Sequence, residues 1–145
     1  MQMRIGTFDE FAEAIRHVRR TVFVEEQGVP EGEEFDESDP VCEHAVVLQD
    51  GAVVATGRVD TTGRIGRVAV LREARGRGIG RSVMQALEQR ARELGCRRAW
   101  MHAQVHAIGF YRTLGYVASG EEFMEAGIRH VTMARPLGEH DAVVA

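Results

Sequence analysis

The strongest constraint on this chain is one stretch, residues 64–95, in which a strand pattern runs through a glycine-rich turn into a helix pattern. Residues 65–71 are apolar and rich in β-branched side chains, which predicts a short buried strand. Residues 81–94 place apolar side chains at helical spacing between arginines and glutamates, which predicts an amphipathic helix. Gly95 is typical of a helix end, where glycine adopts the left-handed conformation. The turn therefore lies between a strand end and a helix N-terminus.

The turn has the residues that an anion-binding site needs. Glycine has no Cβ, so the backbone can bend tightly and a ligand can approach it closely. Free N–H groups at a helix N-terminus, together with the helix dipole, bind phosphate or pyrophosphate. Flanking arginines add full positive charges. The residues that the pattern assigns to this site are Arg75, Gly76, Arg77, Gly78, Ile79, Gly80 and Arg81.

Two common phosphate motifs do not fit this turn. The nucleotide P-loop ends in Gly-Lys-Ser/Thr, and the chain contains no lysine. The dinucleotide motif needs a different glycine spacing and an acidic residue at the end of a second strand. From the glycines alone, an ordinary loop remains an alternative.

Length and composition predict one soluble domain over residues 1–137 and a loose tail over 138–145. A chain of 145 residues that is 44% hydrophobic and 28% charged can bury a core of its own. It has no apolar run of the roughly 20 residues that span a membrane, and its first residues lack a signal-peptide pattern. These features predict a cytoplasmic protein without a membrane partner.

The charges are unevenly distributed along the chain. Residues 1–63 hold 14 acids and 5 arginines, whereas residues 64–98 hold 10 arginines and 3 acids. A basic segment that coincides with the phosphate turn suits a polyanionic ligand. It would also suit a nucleic acid, but that alternative ranks lower because aromatic residues are not interleaved with the arginines. We therefore expect no nucleic-acid partner.

The turn and several other motifs resemble the GNAT superfamily of acetyltransferases. Residues 75–80 are similar to the superfamily signature that holds the pyrophosphate of acetyl-CoA, and residues 107–116 are similar to its second signature. Further segments resemble the ElaA-like branch: residues 23–30, His44, residues 103–105 and residues 127–130. The resemblance covers nearly the whole chain, from about residue 8 to Leu137.

The element pattern agrees with the fold that the resemblance implies. Strands are predicted at residues 3–7, 44–48, 52–61 and 64–71, with a hairpin turn at Asp50 and Gly51. A strand at 98–103 should run parallel to 64–71, since a helix connects them; 116–119 and 128–135 form the last pair. Helices are predicted from Asp9 to about residue 27, at 78–94 and at 107–114. The fold class is α/β, a mixed sheet with an antiparallel meander, a parallel βαβ pair and helices on both faces.

The resemblance implies an N-acetyltransferase that moves an acetyl group from acetyl-CoA, as co-substrate, directly to a primary amine. The acceptor would be a small molecule or a peptide, and exposed strand edges would allow a homodimer. Two alternatives stay open: a different acyl-CoA as donor, and a CoA-binding regulatory domain without turnover. No metal is expected, because His102 and His106 straddle a strand end and a helix start. A covalent route through Cys42 and His44 is the minority hypothesis.

The resemblance also assigns residues to the chemistry. Backbone N–H groups of Val68, Ala69 and Val70 would bind the carbonyl oxygen, and Tyr111 would protonate the leaving thiolate. Gln104 and Phe110 are expected in the cofactor wall.

The base that takes the proton of the amine is left open by the sequence. His44 and His130 are preferred, because imidazole titrates near neutral pH. The alternatives are a water chain, His102, or one of three glutamates: Glu26, Glu43 and Glu122. Each histidine taken alone is more often a structural hydrogen-bonding residue. The acidic residues 31–40 are either a solvated loop or a rim that attracts a cationic amine.

Overall fold

The computed structural model describes residues 1–34 and 36–138, so the predicted tail lies outside the described residues from position 139 onward. The first sheet is antiparallel in the order β1 (Gln2–Thr7), β2 (Glu43–Gln49), β3 (Ala52–Val59), β4 (Ile65–Val70). Asp50 and Gly51 both have positive φ, 51° and 82°, as a two-residue hairpin turn with the right strand twist requires. The predicted meander and hairpin are confirmed.

The second sheet contains β5 (Arg98–Gln104), β6 (Val117–Glu125) and β7 (Ile128–Pro136), in the order β5-β7-β6. It joins the first sheet at one parallel bridge, Arg64 to Trp100, where the Trp100 amide donates to the Gly63 carbonyl at 3.1 Å. The predicted parallel pairing of these two strands is thus limited, among the described residues, to the base of β4 and β5. Beyond the bridge the two strands separate.

β6 is much longer than the predicted strand at residues 116–119. The pairing with β7 shifts register between Ser119 and Phe123, and Gly120 has a φ of 77°. This irregularity and the two glutamates that follow it interrupt the apolar alternation by which a strand is recognised. The strand nevertheless continues to Glu125.

The helices are α1 (Phe8–Arg19), α2 (Glu31–Glu34), α3 (Ile79–Glu93) and α4 (Ile108–Thr113). Thr7 begins α1 in a capping box with Glu10. A π-helical segment, Arg20–Glu26, continues α1, and the Gln27 amide bonds to the Val22 carbonyl five residues back. Of these described helices, none is long and apolar enough to cross a membrane.

Helices cover the first sheet on both faces, as predicted. Val46 on β2 packs with Ile15 of α1, while its neighbours in sequence pack with the apolar side of α3. Successive strand residues point to opposite faces, so α1 and α3 lie on opposite sides of the sheet. Packing between the helices fixes β4 in place, and the outer edge of β4 faces β5.

Candidate active site

A cleft of about 890 Å³ opens where β4 and β5 separate. One side is β4 itself, and the other is formed by side chains from β5. The π-helical segment contributes Phe23 and Glu26, and α4 contributes Phe110 and Tyr111. The glycine turn borders the same cleft, to which it contributes Arg75 and Gly80. The space therefore connects the predicted anion site with the free edge of a strand.

The backbone of the glycine turn presents free N–H groups at the start of α3. Gly76 and Gly78 both have φ of 78°, and Gly78 is the residue before the first helical turn of α3. The first helical bond of that turn runs from the Ser82 amide to the Gly78 carbonyl at 3.1 Å. Among the described residues, no hydrogen bond donated by the amides of residues 76–81 is found. Such free N–H groups are the donors that a phosphate group needs.

Gly80 faces the cleft. A Cβ at this position would lie 3.5 Å from the Phe110 ring and 3.8 Å from the Val70 side chain. These are ordinary contacts, so the protein itself tolerates a side chain here. The missing Cβ instead leaves space that a ligand can use.

The arginines of the turn were expected to add full positive charges to the anion site, but two of them already have partners in the structure. The Arg75 guanidinium lies 3.0 Å from both carboxylate oxygens of Glu26 and donates through Nε to the Val70 carbonyl at 2.9 Å. Arg77 reaches Gln49 and the carbonyl of Glu73. Arg75 therefore ties the turn to β4 and to the π-helical segment, and its charge is already paired. Its chief effect is to hold the amides of the turn in place.

β4 contains a bulge that was not predicted. Thr56 pairs with Ala69 and Arg58 pairs with Gly66, so two residues, Arg67 and Val68, stand opposite one residue of β3. Arg67 has a φ of 51°, which is a strained conformation for a residue with a Cβ. Bulges bend a strand and re-aim its groups, and they are frequent beside active sites.

Backbone amides along β4 point alternately towards β3 and towards the cleft. This alternation distinguishes among the three predicted oxyanion donors. The Leu71 amide bonds to the Val54 carbonyl at 2.9 Å, so alternation directs the Ala69 amide towards β3 as well. The amides of Val68 and Val70 then point to the cleft edge, in agreement with the contact between Arg75 and the Val70 carbonyl. The geometry thus favours Val68 and Val70 over Ala69.

Tyr111 lines the cleft next to Phe110, the residue whose ring lies beside Gly80 of the turn. Its ring makes edge contacts with Phe110 and Tyr116, at centroid distances of 5.1 and 6.0 Å. Burial raises the pKa of the Tyr111 phenol to about 12. The phenol is therefore protonated throughout the neutral and alkaline range in which an acyltransferase would work.

Gln104 ends β5 and contacts Gln27, the residue that follows the π-helical segment. Its amide nitrogen donates to the Gln27 side-chain carbonyl at 2.9 Å, and Gln27 returns a bond at 3.2 Å. The side chains are 77 residues apart in sequence. This reciprocal pair holds the two walls of the cleft together, which the sequence did not indicate.

The two preferred histidines lie in different environments. His44 is 1% exposed, its Nε2 is 3.0 Å from the Asp39 carbonyl, and it is not among the described residues that line the cleft. Burial also lowers the pKa of His44. His130 does line the cleft, and its Nδ1 donates to the Ile128 carbonyl at 2.7 Å. The placement favours His130 over His44 as a group that an acceptor could reach.

Glu125 is a cleft residue that sequence reasoning missed. Its Oε1 lies 3.0 Å from Nδ1 of His102, and its Oε2 lies 3.7 Å from Nε2 of His130. The Phe123 ring stacks on His130 and meets His102 edge-on. Strand alternation from Phe123 to Glu125 would have placed this carboxylate beside the histidines, had β6 been extended that far.

The other glutamates considered as bases are all paired with arginines. Glu26 pairs with Arg75 as described above, Glu43 pairs with Arg90 at 2.6 Å, and Glu122 pairs with Arg129 at 2.8 Å. Each of these carboxylates is thus already engaged by a guanidinium group. These contacts make the three residues poor candidates.

The sequence allowed two interpretations of the acidic segment at residues 31–40, and the structure does not support the first of them, a solvated loop. It contains α2, and two of its carboxylates, Glu34 and Asp39, are 3% exposed. Arg19, which is fully buried, contacts both of them at 2.7 Å. Three arginines and three acids form one arginine–carboxylate network: Arg19, Glu34, Asp36, Asp39, Arg58 and Arg67.

The pKa values of these acids reflect the balance between burial and arginine contacts. Burial raises the pKa of Glu34, and the contact with Arg19 offsets this only in part. Burial would also raise the pKa of Asp39, but hydrogen bonds from Arg19 and Arg58 outweigh it and hold that pKa below its usual value. The hydrogen bond from Arg58 lowers the pKa of Asp36 to about 2. The network therefore fastens the segment and leaves less negative charge to attract a cationic acceptor.

A metal or a nucleophilic cysteine receives no support from the described residues. They contain no group of three or more histidine, cysteine or acidic side chains that could hold a metal ion. Cys42 lines the cleft, but burial raises the pKa of its thiol. A raised pKa disfavours the thiolate that a covalent route would need.

The chain is similar over most of its length to proteins that are described as acyltransferases. Residues 13–137 match the family model described as an acetyltransferase (GNAT) domain. A protein described as an uncharacterized N-acetyltransferase, YjcF of Bacillus subtilis, is 41% identical over 123 residues, covering 82% of this chain and 88% of that protein. Among solved structures, an acyl-CoA N-acyltransferase from Pseudomonas aeruginosa is 30% identical, with a TM-score of 0.82 over 92% of this chain and 98% of that one.

Escherichia coli ElaA has the same TM-score, 0.82, with 27% identity over 93% of this chain and 99% of that one. This likeness agrees with the branch that the motifs suggested. The family model covers far more than half of the chain, and the cleft contains the turn, strand edge and tyrosine on which the resemblance was based. The chain therefore belongs to the GNAT acetyltransferase family.

Proposed function

We propose that the protein transfers an acetyl group from acetyl-CoA to a primary amine, directly and without a covalent enzyme intermediate. The observation that carries the proposal is the continuity of one cleft. It runs from a turn with free amides, past Tyr111, to the open edge of β4. A donor held by phosphate at one end would reach the strand edge with its other end.

The residues around the turn fit a CoA molecule. The amides of residues 76–81 would hold the pyrophosphate, and Gly80 leaves space beside Phe110 for a chain that passes along the wall. Gln104 would border the same chain from β5. When bound, acetyl-CoA supplies an acetyl group activated as a thioester.

The chain's own groups would then divide the chemistry. The amides of Val68 and Val70 would donate hydrogen bonds to the carbonyl oxygen as negative charge develops on it. Tyr111 would hold a proton on its phenol oxygen until the leaving sulfur needs it. The bulge at Arg67 supports this role, because it interrupts regular pairing next to the donors.

The test is release of free thiol from acetyl-CoA across a panel of amines, with mass spectrometry of the products. We expect release that depends on the amine and a product 42 Da heavier than one acceptor, the mass that an acetyl group adds. A parallel series with propionyl-CoA and succinyl-CoA tests the donor. Preference for another acyl-CoA would replace acetyl-CoA as donor, and CoA binding without release on any amine would favour a regulatory domain.

A further inference from the structure

We propose that His102 is the base that takes the proton of the acceptor amine, and that Glu125 and Arg64 are positioning residues that act on it in opposite directions. The inference rests on the proposed acyl transfer and names a group that this function needs. A free alkylamine has a pKa of about 10.4, so it is protonated at neutral pH and cannot attack until it loses a proton.

His102 occupies the right place along the cleft. Side chains on β5 alternate, so Trp100, His102 and Gln104 share one face, from which His102 and Gln104 line the cleft. Trp100 is level with the bridge that joins the two sheets, and His102 is the first side chain on that face after the strands part. Gln104 follows about 7 Å farther along, towards the cofactor end. His102 thus lines the cleft between the sheet junction and Gln104, on the side where the acceptor amine would approach.

The two partners of His102 favour opposite protonation states of the same ring nitrogen, Nδ1. Nδ1 lies 3.0 Å from Oε1 of Glu125 and 3.1 Å from a guanidinium nitrogen of Arg64. A carboxylate can only accept a hydrogen bond and a guanidinium can only donate one. With a proton on Nδ1, Glu125 accepts it and Nε2 carries the lone pair. With Nδ1 bare, Arg64 donates to it instead.

The other ring nitrogen is available for the acceptor. No hydrogen bond to Nε2 of His102 is found in the described part of the chain, and the side chain is 26% exposed. We therefore assign the working state to the tautomer with the proton on Nδ1, oriented by Glu125. Its Nε2 lone pair then faces the cleft.

The proton transfer is balanced without any further reactant. One N–H bond of the ammonium breaks, its electron pair stays on the amine nitrogen, and a new N–H bond forms at Nε2 of His102. The positive charge moves from the amine to the imidazole, where Glu125 stabilises it. Arg64 opposes that charge and so favours return of the proton to solvent after each turnover.

His130 is the rival base, and its contacts differ in a way that can be tested. Its Nδ1 is committed to the Ile128 carbonyl, its Nε2 is 3.7 Å from Glu125, and its side chain is 8% exposed. It shares Glu125 with His102, but no contact between His130 and Arg64 is found in the described part of the chain. Two further charged groups in the described part of the chain lie beside these residues: Asp60, which accepts from the Arg64 amide, and Arg98 beside Trp100.

The test is the pH profile of kcat/KM, whose acid limb reports the base of the free enzyme. Removing the carboxylate in Glu125→Gln should move the limb to lower pH, and removing the cation in Arg64→Gln should move it to higher pH, each by about 0.5–1 unit at low salt. His102→Gln should lower the rate about 100-fold or more. Glu121→Gln on β6 and Arg97→Gln just before β5, both at exposed positions, are matched charge controls and should leave the limb in place.

A second readout does not depend on turnover. The imidazole signals of His102, assigned by their loss in His102→Gln, are titrated by NMR in each variant, and circular dichroism melts check the fold. We expect the titration midpoint to fall in Glu125→Gln and to rise in Arg64→Gln.

The outcomes separate the two proposals. If the wild-type protein turns over but Arg64→Gln leaves the limb unmoved, the base is not His102. A shift in Glu125→Gln alone would then assign it to His130, and no shift in either variant would remove the cluster from catalysis. If the wild-type protein acetylates no amine, the proposed function fails and this assignment fails with it.

Discussion

At the scale of single residues, burial and a charged neighbour set the proton states of two side chains that line the cleft. Tyr111 is kept protonated by apolar surroundings, whereas Asp36 is kept charged by the guanidinium of Arg58. Glu125 is shared between two imidazoles. Proton-transfer groups in enzymes are tuned in these same ways, by burial and by charge.

The phenol of Tyr111 gives the first prediction. Tyr111→Phe should lower kcat by about 10- to 100-fold, because the leaving sulfur loses its proton donor. The KM for acetyl-CoA should change by less than about twofold, since the ring and its packing remain. With a pKa of about 12, Tyr111 should cause no loss of activity in the wild-type protein below about pH 11. Steady-state kinetics at several pH values checks this, and a normal kcat would remove Tyr111 from the mechanism.

At the scale of elements, two segments shape the ends of the cleft by different means. The glycine turn exposes amides because its residues adopt conformations that glycine favours. The acidic segment at residues 31–40 is instead held by the arginine–carboxylate network, which links it to α1, β3 and the bulge of β4. The turn thus leaves its amides free, whereas the acidic segment is secured against the sheet.

Charge reversal in the turn gives the second prediction. Gly80→Glu should abolish CoA binding in calorimetry while the melting temperature stays close to that of the wild-type protein. The reason is that a carboxylate would repel phosphate from the free amides, whereas the added Cβ meets the protein only at ordinary contact distances. Gln85→Glu adds the same charge to an exposed position of α3 and should bind CoA normally. Unchanged affinity in Gly80→Glu would contradict the anion site.

Acid sensitivity of the network gives the third prediction. The pKa of Asp36 is lowered from 3.8 to about 2, so its stabilisation is complete above pH 4 and disappears as the pH falls towards 2. Asp36→Asn should lower the free energy of unfolding by about 1 kcal/mol at pH 7, after allowance for solvent screening of a side chain that is 36% exposed. Urea titrations between pH 7 and 2.5 should show the difference shrinking below pH 4. Glu37→Gln is the control, and a difference that stays constant with pH would refute the role of Asp36.

At the scale of the whole molecule, the parts that could be predicted are those governed by neighbours in sequence. The Asp50-Gly51 hairpin, the glycine turn and α3 follow from local patterns and appear where expected. The features that were missed depend on residues far apart. The contact of Arg19 with Asp39 spans 20 residues, that of His102 with Glu125 spans 23, and the Gln27–Gln104 pair spans 77. Only the assembled sheets bring these side chains together, and the bulge in β4 depends on the same assembly.

A single substitution at the junction of the two sheets should disturb this assembly. Gly63 has a φ of 86° and accepts the Trp100 amide at the last point where β4 and β5 are joined. A Cβ at Gly63 would overlap the carbonyl oxygen of Arg98, in the backbone of β5. Because backbone cannot move aside as a side chain can, the strands would have to shift apart, and the width of the cleft would change with them.

Gly63→Ala should therefore destabilise the protein by about 2–4 kcal/mol, the sum of backbone strain and steric overlap. Gly51→Ala is the matched control, because Gly51 also has positive φ, 82°, but open space around it, so only strain of about 1 kcal/mol applies. Urea unfolding of both variants isolates the overlap as the difference between them. Equal losses in the two variants would mean that the sheets are not held at this point, and that the cleft takes its width from the helices that cover them.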